Sequence, residues 1–307
     1  MVVARLLPYL VLLADVVAAQ SAPTWARGPA SDAQRIRVLI RADDIGYTHA
    51  SNTAFRQLAE KGAVTAASLM AVGPWFTEAV QLARAYPQLS IGLHLAITSE
   101  WRTLRWGPLL GAERVPSLVS PDGNFYKNYW TPDLSKLPAE ARAIRTDRLP
   151  PIQDVDAEIR AQVASARRHG LRVDYLDCHM GAVCLPPVRS AMVRLAAELC
   201  LPIPEQGWMG YQGVGFEVAE NAAITIANFT RLLDSLRPGL YRIVTHPAAD
   251  TEELRAVDPL DGETEARKRQ AVLDALLSPE VAAVIRRRNI QLVSIRDLWD
   301  DRACKLR

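Results

Sequence analysis

Two adjacent acids, Asp43 and Asp44, closely follow the apolar run Val38-Leu39-Ile40. Neighbouring carboxylates at the end of a buried strand repel each other and are costly unless a partner uses them. A divalent cation is the simplest such partner. Histidines stand at the ends of other apolar runs: His94 after Ile91-Gly92-Leu93, and His179 after Tyr175-Leu176-Asp177-Cys178. One carboxylate and two imidazoles make a ligand set that leaves positions open for water and substrate, with Zn²⁺ or Mg²⁺ as the expected cation. The chemistry this predicts is metal-assisted hydrolysis. One acid would ligate the metal and the other would act as a base. His246 follows Arg242-Ile243-Val244-Thr245 and precedes Pro247. If it enters the same cavity it is the natural general acid, since a reference pKa of about 6.5 suits proton transfer near neutrality. Each feature also has a plainer explanation, because acids are common in surface turns and lone histidines are common in cores. His49 either lines the site or caps a helix, and His169 (in Arg-Arg-His-Gly) reads as a cation at a helix C-terminus.

Such residues need a scaffold that ends several strands at one place. Apolar β-rich runs over 38–40, 64–70, 89–95, 173–177, 240–245 and 290–294 predict strands. Amphipathic stretches over 52–61, 75–86, 155–169, 187–199, 222–236, 263–277 and 279–288 predict helices, with Gly62 and Gly170 as stop signals. Continuous apolar strands alternating with helices argue for a parallel sheet covered on both faces. Roughly six or seven such units favour an α/β fold of the TIM-like (β/α) barrel type, irregular or incomplete, over a doubly wound sheet. No Gly-x-Gly-x-x-Gly or Gly-x-x-x-x-Gly-Lys segment recommends a nucleotide fold.

The stretch from Glu100 to Pro151 breaks the alternation, with Trp101, Trp106, Trp130, many prolines and the turn Pro121-Asp122-Gly123-Asn124. An insertion directly after His94 falls at the C-terminal face of its strand, where such barrels place their active sites. Its tryptophans would either form a sugar-stacking wall or pack the loop onto the barrel.

The 307 residues suffice for one large domain or two ordinary ones, and 49% apolar with 23% charged residues permits a sizeable core. A net charge of +2 without a long basic stripe speaks against a nucleic-acid partner. Arg5 precedes the apolar stretch Leu6 to Ala19, broken by Asp15 and ending in Val17-Ala18-Ala19. This pattern predicts a signal peptide cut after Ala19 and an exported protein, with a linker over 20–35 and the domain over 36–300. The stretch is shorter than the roughly 20 residues a membrane span needs, and no other segment could span a bilayer. Of four cysteines, Cys178 and Cys184 either pair or are buried thiols, and no Cys-x-x-Cys spacing suggests thiolate zinc. The oligomeric state stays open.

Arg41-Ala42-Asp43-Asp44-Ile45-Gly46-Tyr47 resembles the Asn-Ala-Asp-Asp-Phe-Gly opening of the YdjC-like (ChbG/HpnK) carbohydrate deacetylases. Val64-Thr65-Ala66-Ala67-Ser68-Leu69-Met70 with Pro74 and Phe76, then Gly92-Leu93-His94-Leu95, Asp177-Cys178-His179 and Thr245-His246-Pro247, are similar to that family's later motifs in the same order. The resemblance runs from about Ile36 to Ser294. It implies a metal-dependent deacetylase on a (β/α) barrel that removes the N-acetyl group from an amino sugar and releases acetate. By position it implies Asp44, His94 and His179 as metal ligands, Asp43 as base and His246 as acid. The chain departs from the pattern where Gly181 replaces a second histidine and where Arg41 replaces asparagine; an export signal is also unusual for relatives acting on phosphorylated cytosolic sugars. Two other readings stand beside this one: an esterase or other amidase working on O-acetyl or unrelated acyl groups, and a catalytically silent sugar-binding protein.

Overall fold

The computed structural model describes residues 34–131, 143–144, 149–204 and 209–299. The predicted signal peptide and nearly all of the linker lie outside the described residues. The strands are β1 (Ile36–Ile45), β2 (Ala66–Leu69), β3 (Ser90–Leu95), β4 (Trp130–Thr131), β5 (Ala143–Ile144), β6 (Tyr175–Cys178), β7 (Gln212–Val214), β8 (Gly239–Thr245) and β9 (Gln291–Leu292). The helices are α1 (His49–Lys61), α2 (Phe76–Ala85), α3 (Ile152–Arg168), α4 (Pro186–Leu199), α5 (Ala222–Ser235), α6 (Glu252–Arg255), α7 (Gly262–Leu277), α8 (Pro279–Arg287) and α9 (Ile295–Leu298).

Seven strands form one sheet in the order β6-β3-β2-β1-β8-β7, with β9 beside the first half of β1, and every pairing in it is parallel. From β1 to β3 and on to β6 each strand lies beside the one before it in the sheet, while β8 returns to the other flank of β1. That is the order of a barrel, and the sheet curls into part of one with β6 and β7 as its ends, the incomplete TIM-like form expected from the alternation. β1 is the central strand. Val38, Leu39, Ile40 and Ala42 are all buried, as a strand covered on both faces requires.

Local chemistry explains where elements begin and stop. Helix α1 starts three residues before the apolar periodicity does, because the Thr48 hydroxyl accepts from the Ser51 N–H and Glu253 accepts the N–H groups of His49 and Ala50. It ends at Gly62, whose φ of 63° is left-handed. His169 closes α3 as expected, its ring nitrogen 2.9 Å from the Ser165 carbonyl oxygen. Strand β7 was not legible in the sequence: it is short, exposed and glycine-containing, so it carries no apolar signal. Helices α6 and α9 have four residues each, too few to show a period.

The insertion is tied down on several sides. Gln162 grips both the N–H and the carbonyl of Ala96, and buried Glu158 accepts the N–H groups of Leu109 and Leu110. From the other flank Asp258 takes the Arg102 guanidinium at 2.6 Å, and the Val257 carbonyl accepts the N–H groups of Thr103 and Leu104. Among the described residues no helix is long and apolar enough to cross a membrane.

Candidate metal centre at the C-terminal ends of the strands

Alternation along a strand would send Asp43 and Asp44 to opposite faces. The chain avoids this with a register shift between Ala42 and Ile45 in the β1–β2 pairing and a left-handed Asp44, φ 62°. Asp44 is one of few non-glycine residues with such a backbone, a conformation that persists only when surroundings enforce it. The two carboxylates then serve two adjoining clusters, one around Asp44 and one around Asp43.

In the first cluster, Asp44 Oδ1 lies 3.4 Å from His94 Nε2 and 3.1 Å from His179 Nδ1. His94 comes from β3, and His179 from the start of a 3-10 turn after β6 that includes left-handed Met180 and Gly181. The three ligand atoms all lie within 4.8 Å of one another, and all three side chains are buried. A tetrahedral centre with bonds of about 2.1 Å holds its ligand atoms about 3.4 Å apart. The donor types and their spacing therefore fit a divalent cation. The three sequence-predicted ligands are brought together, and His94 and His179 also meet ring to ring at 5.3 Å.

The second cluster is Asp43, His94 and Asp177. Asp177 Oδ2 lies 3.0 Å from His94 Nδ1 and accepts from Ser68 Oγ at 2.9 Å. Ser68 Oγ is in turn 2.8 Å from the Tyr175 hydroxyl. Buried Arg41 is the cation here: its Nε and Nη2 donate to the two oxygens of Asp43 at 2.6 and 2.7 Å, and Nη2 also reaches Asp177 at 2.9 Å. The fork gives both buried carboxylates a charged hydrogen-bonding partner.

Electrostatics follow the geometry. Burial disfavours the Asp44 carboxylate, yet Arg269, with His179 and His94, outweighs it and holds the pKa well below the ordinary range. Burial likewise disfavours a charged His94, but Asp177 and Asp43 hold its pKa well above the usual value. For His179 the same burial effect is outweighed by Glu100 and Asp44, and the pKa rises to about 9. His246 stands at the end of β8 with its side chain exposed, facing the charges of Asp44, Arg269, Asp43 and His94. Protein packed around its ring outweighs the two acids and lowers its pKa.

Several neighbours were not anticipated. Arg269 of α7 donates to Asp44 Oδ2 at 2.9 Å, sits over the Tyr47 ring and pairs with Glu265 at 2.7 Å. Glu100, at the start of the insertion, lies 2.9 Å from His179 Nε2. No local motif could have revealed either, since one is mid-helix and the other opens an irregular stretch. Of the tryptophans, Trp106 is buried, donates to the Thr98 carbonyl and sets its ring against His179 and Tyr47, so it packs the loop and is no sugar-stacking wall. Trp101 is partly buried against the core, and the Trp130 side chain lies outside the described residues. His49 is the first residue of α1, where Thr48 is the cap; its ring lies on Trp75 and its Nδ1 is 2.9 Å from Glu78. Cys178 is a buried thiol, its sulfur 3.3 Å from the Met192 sulfur. Cys200 is disulfide-bonded. Two surface hollows lie at the opposite ends of the strands, around Gly62 and Leu292, and contain none of the site residues.

A sequence profile described as YdjC-like protein matches residues 37–287. Among curated relatives, a carbohydrate deacetylase of Brevibacillus brevis is 26% identical over 86% of this chain and 100% of its own length. A carbohydrate deacetylase of Thermus thermophilus is 31% identical over 81% of this chain and 89% of its own. The fold is similar to a crystal structure of a candidate cellobiose-phosphate cleavage protein from Enterococcus faecalis. That match has a TM-score of 0.69 and 25% identity, and it covers 87% of this chain and all of the other.

Proposed function

The chain belongs to the YdjC-like family, and from this we propose that it is a divalent-metal-dependent carbohydrate N-deacetylase. The observation that carries the proposal is the convergence of Asp44 Oδ1, His94 Nε2 and His179 Nδ1 at the C-terminal ends of their strands. The carbohydrate deacetylases it resembles along most of its length support an acetylated sugar as substrate.

Asp44, His94 and His179 would hold the cation, which when bound supplies carbonyl polarisation and a lowered pKa for water. Asp43, held in place by the Arg41 fork, accepts the proton of the water attacking the acetamide carbonyl. A carboxylate has about four acceptor positions, so the fork leaves room for that proton. His246, exposed at the rim, exchanges protons with solvent and delivers one to the departing amine, which leaves poorly without it. The products are acetate and a free amino sugar.

We also place the protein outside the cytosol. The leader-like N-terminus supports this.

The test is acetate release from a panel of N-acetylated and O-acetylated saccharides, after chelation and again with Zn²⁺ or Mg²⁺ restored. Release from N-acetylated sugars only with metal supports the proposal. Release from esters alone would make the protein an O-acetyl esterase, and sugar binding without any release would make it a silent lectin.

A further inference from the structure

Each histidine of the candidate metal centre faces a carboxylate on the side away from Asp44. For His94 the outward nitrogen is Nδ1, 3.0 Å from Asp177; for His179 it is Nε2, 2.9 Å from Glu100. The nitrogens aimed at Asp44 are therefore opposite ones, Nε2 of His94 and Nδ1 of His179. A carboxylate behind a ligating histidine fixes which ring nitrogen keeps the proton and where the ring points.

The two carboxylates differ in origin. Asp177 belongs to the sheet, whereas Glu100 comes from the insertion. Glu100 is nonetheless fixed, because the chain on both sides of it is clamped. Four residues before it, Ala96 is held by Gln162 through both backbone groups. The Ser99 N–H donates to the Tyr126 carbonyl at 3.0 Å, and Ser99 Oγ accepts the Trp106 N–H at 3.0 Å. Two residues after it, Arg102 is held by Asp258. Trp106 of the same loop sets its ring edge-on against His179, at 5.8 Å between centroids. The insertion thus touches the His179 ring from two directions.

We propose that Glu100 is a positioning residue: it holds the proton of His179 on Nε2 and so presents Nδ1 to the cation. The proposal rests on the metal-dependent reading above and extends it, making the insertion a working part of the metal centre.

The experiment is zinc affinity measured on the full-length mature chain by competition with a chromogenic chelator. Glu100→Ala should weaken zinc binding about 10–100-fold, the usual effect of losing such a partner. Glu100→Gln keeps an oxygen that can accept from Nε2–H, and should stay within a few-fold of the parent. Equal affinity in Glu100→Ala and parent, or equal loss in both variants, would overturn the proposal. A reading immune to misfolded variants comes from ¹⁵N–¹H spectra of the zinc-loaded parent. A proton on Nε2 of His179 and none on Nδ1 supports the assignment; the reverse overturns it. Acetate release by the parent is scored separately. Zinc bound in the predicted tautomer without release would overturn the deacetylase reading and leave the Glu100 result standing, while a parent that binds no zinc would overturn both.

Discussion

Arg269 Nη1 donates to Asp44 Oδ2 at 2.9 Å, joining helix α7 to the end of β1 across 225 residues of chain. Both side chains are buried, and Glu265 balances the far side of the guanidinium. The arginine thus neutralises an acid that a cation would also neutralise.

Replacing Arg269 with Met should therefore strip a buried charge of its protein partner. Breaking such a pair costs about 3–5 kcal/mol in the metal-free protein. Added Zn²⁺ should return a larger share of stability to the variant than to the parent. Thermal unfolding with and without metal checks this, and an unchanged metal increment would refute it.

Metal binding should be strongly pH-dependent. A ligating histidine must be neutral, while in metal-free protein the acids around His179 raise its pKa to about 9 and those around His94 raise its pKa as well. The charged form of His179 stabilises the metal-free fold fully below about 6.5, and that contribution is lost as pH rises through about 9. Zinc affinity runs the other way, climbing as pH approaches 9. Calorimetry at pH 7 in buffers of different ionisation enthalpy should register between about one and two protons released per zinc. No release would show that the histidines are already neutral.

The roles given to the site residues separate by metal content. Asp44→Ala should lose the metal, whereas Asp43→Asn should keep it and lose turnover. The opposite pattern reverses the two assignments. His246→Gln should keep metal and sugar affinity while kcat falls by about 10²–10⁴-fold, the range for a lost proton donor. An unaffected kcat would remove His246 from the reaction.

Gly92 is the register partner of Tyr175, and a Cβ at Gly92 would lie 2.0 Å from that ring. The Tyr175 hydroxyl adjoins Ser68, which in turn donates to Asp177 behind His94. Gly92→Ala should destabilise the fold by about 1–3 kcal/mol through overpacking. Because the displaced ring supports Asp177, zinc affinity should fall as well. A stability loss with affinity intact would show that Asp177 does not depend on Tyr175.

The barrel order and the convergence of Asp44, His94 and His179 were legible because they obey local rules. Strand-ending acids and histidines stand beside apolar runs, and in a parallel sheet those ends share one face. Arg269 and Glu100 were not legible, since each acquires its meaning only from the approach of chain that is far away in sequence. The fate of Trp106 was undecidable for a related reason: the carbonyl its indole reaches, that of Thr98, is set by the loop's own fold. The bend that lets Asp43 and Asp44 serve neighbouring clusters is made by a left-handed aspartate, which no local pattern announces.

The left-handed backbone at Asp44 also restricts which descendants of this chain could keep the site. Position 44 is filtered twice, once by donor chemistry and once by the handedness of the main chain. Glutamate is the nearest chemical substitute, yet aspartate and asparagine enter this region far more readily. Asparagine suits the backbone but would give up the charge that Arg269 answers. Position 44 therefore admits fewer replacements than a ligand on a regular strand would.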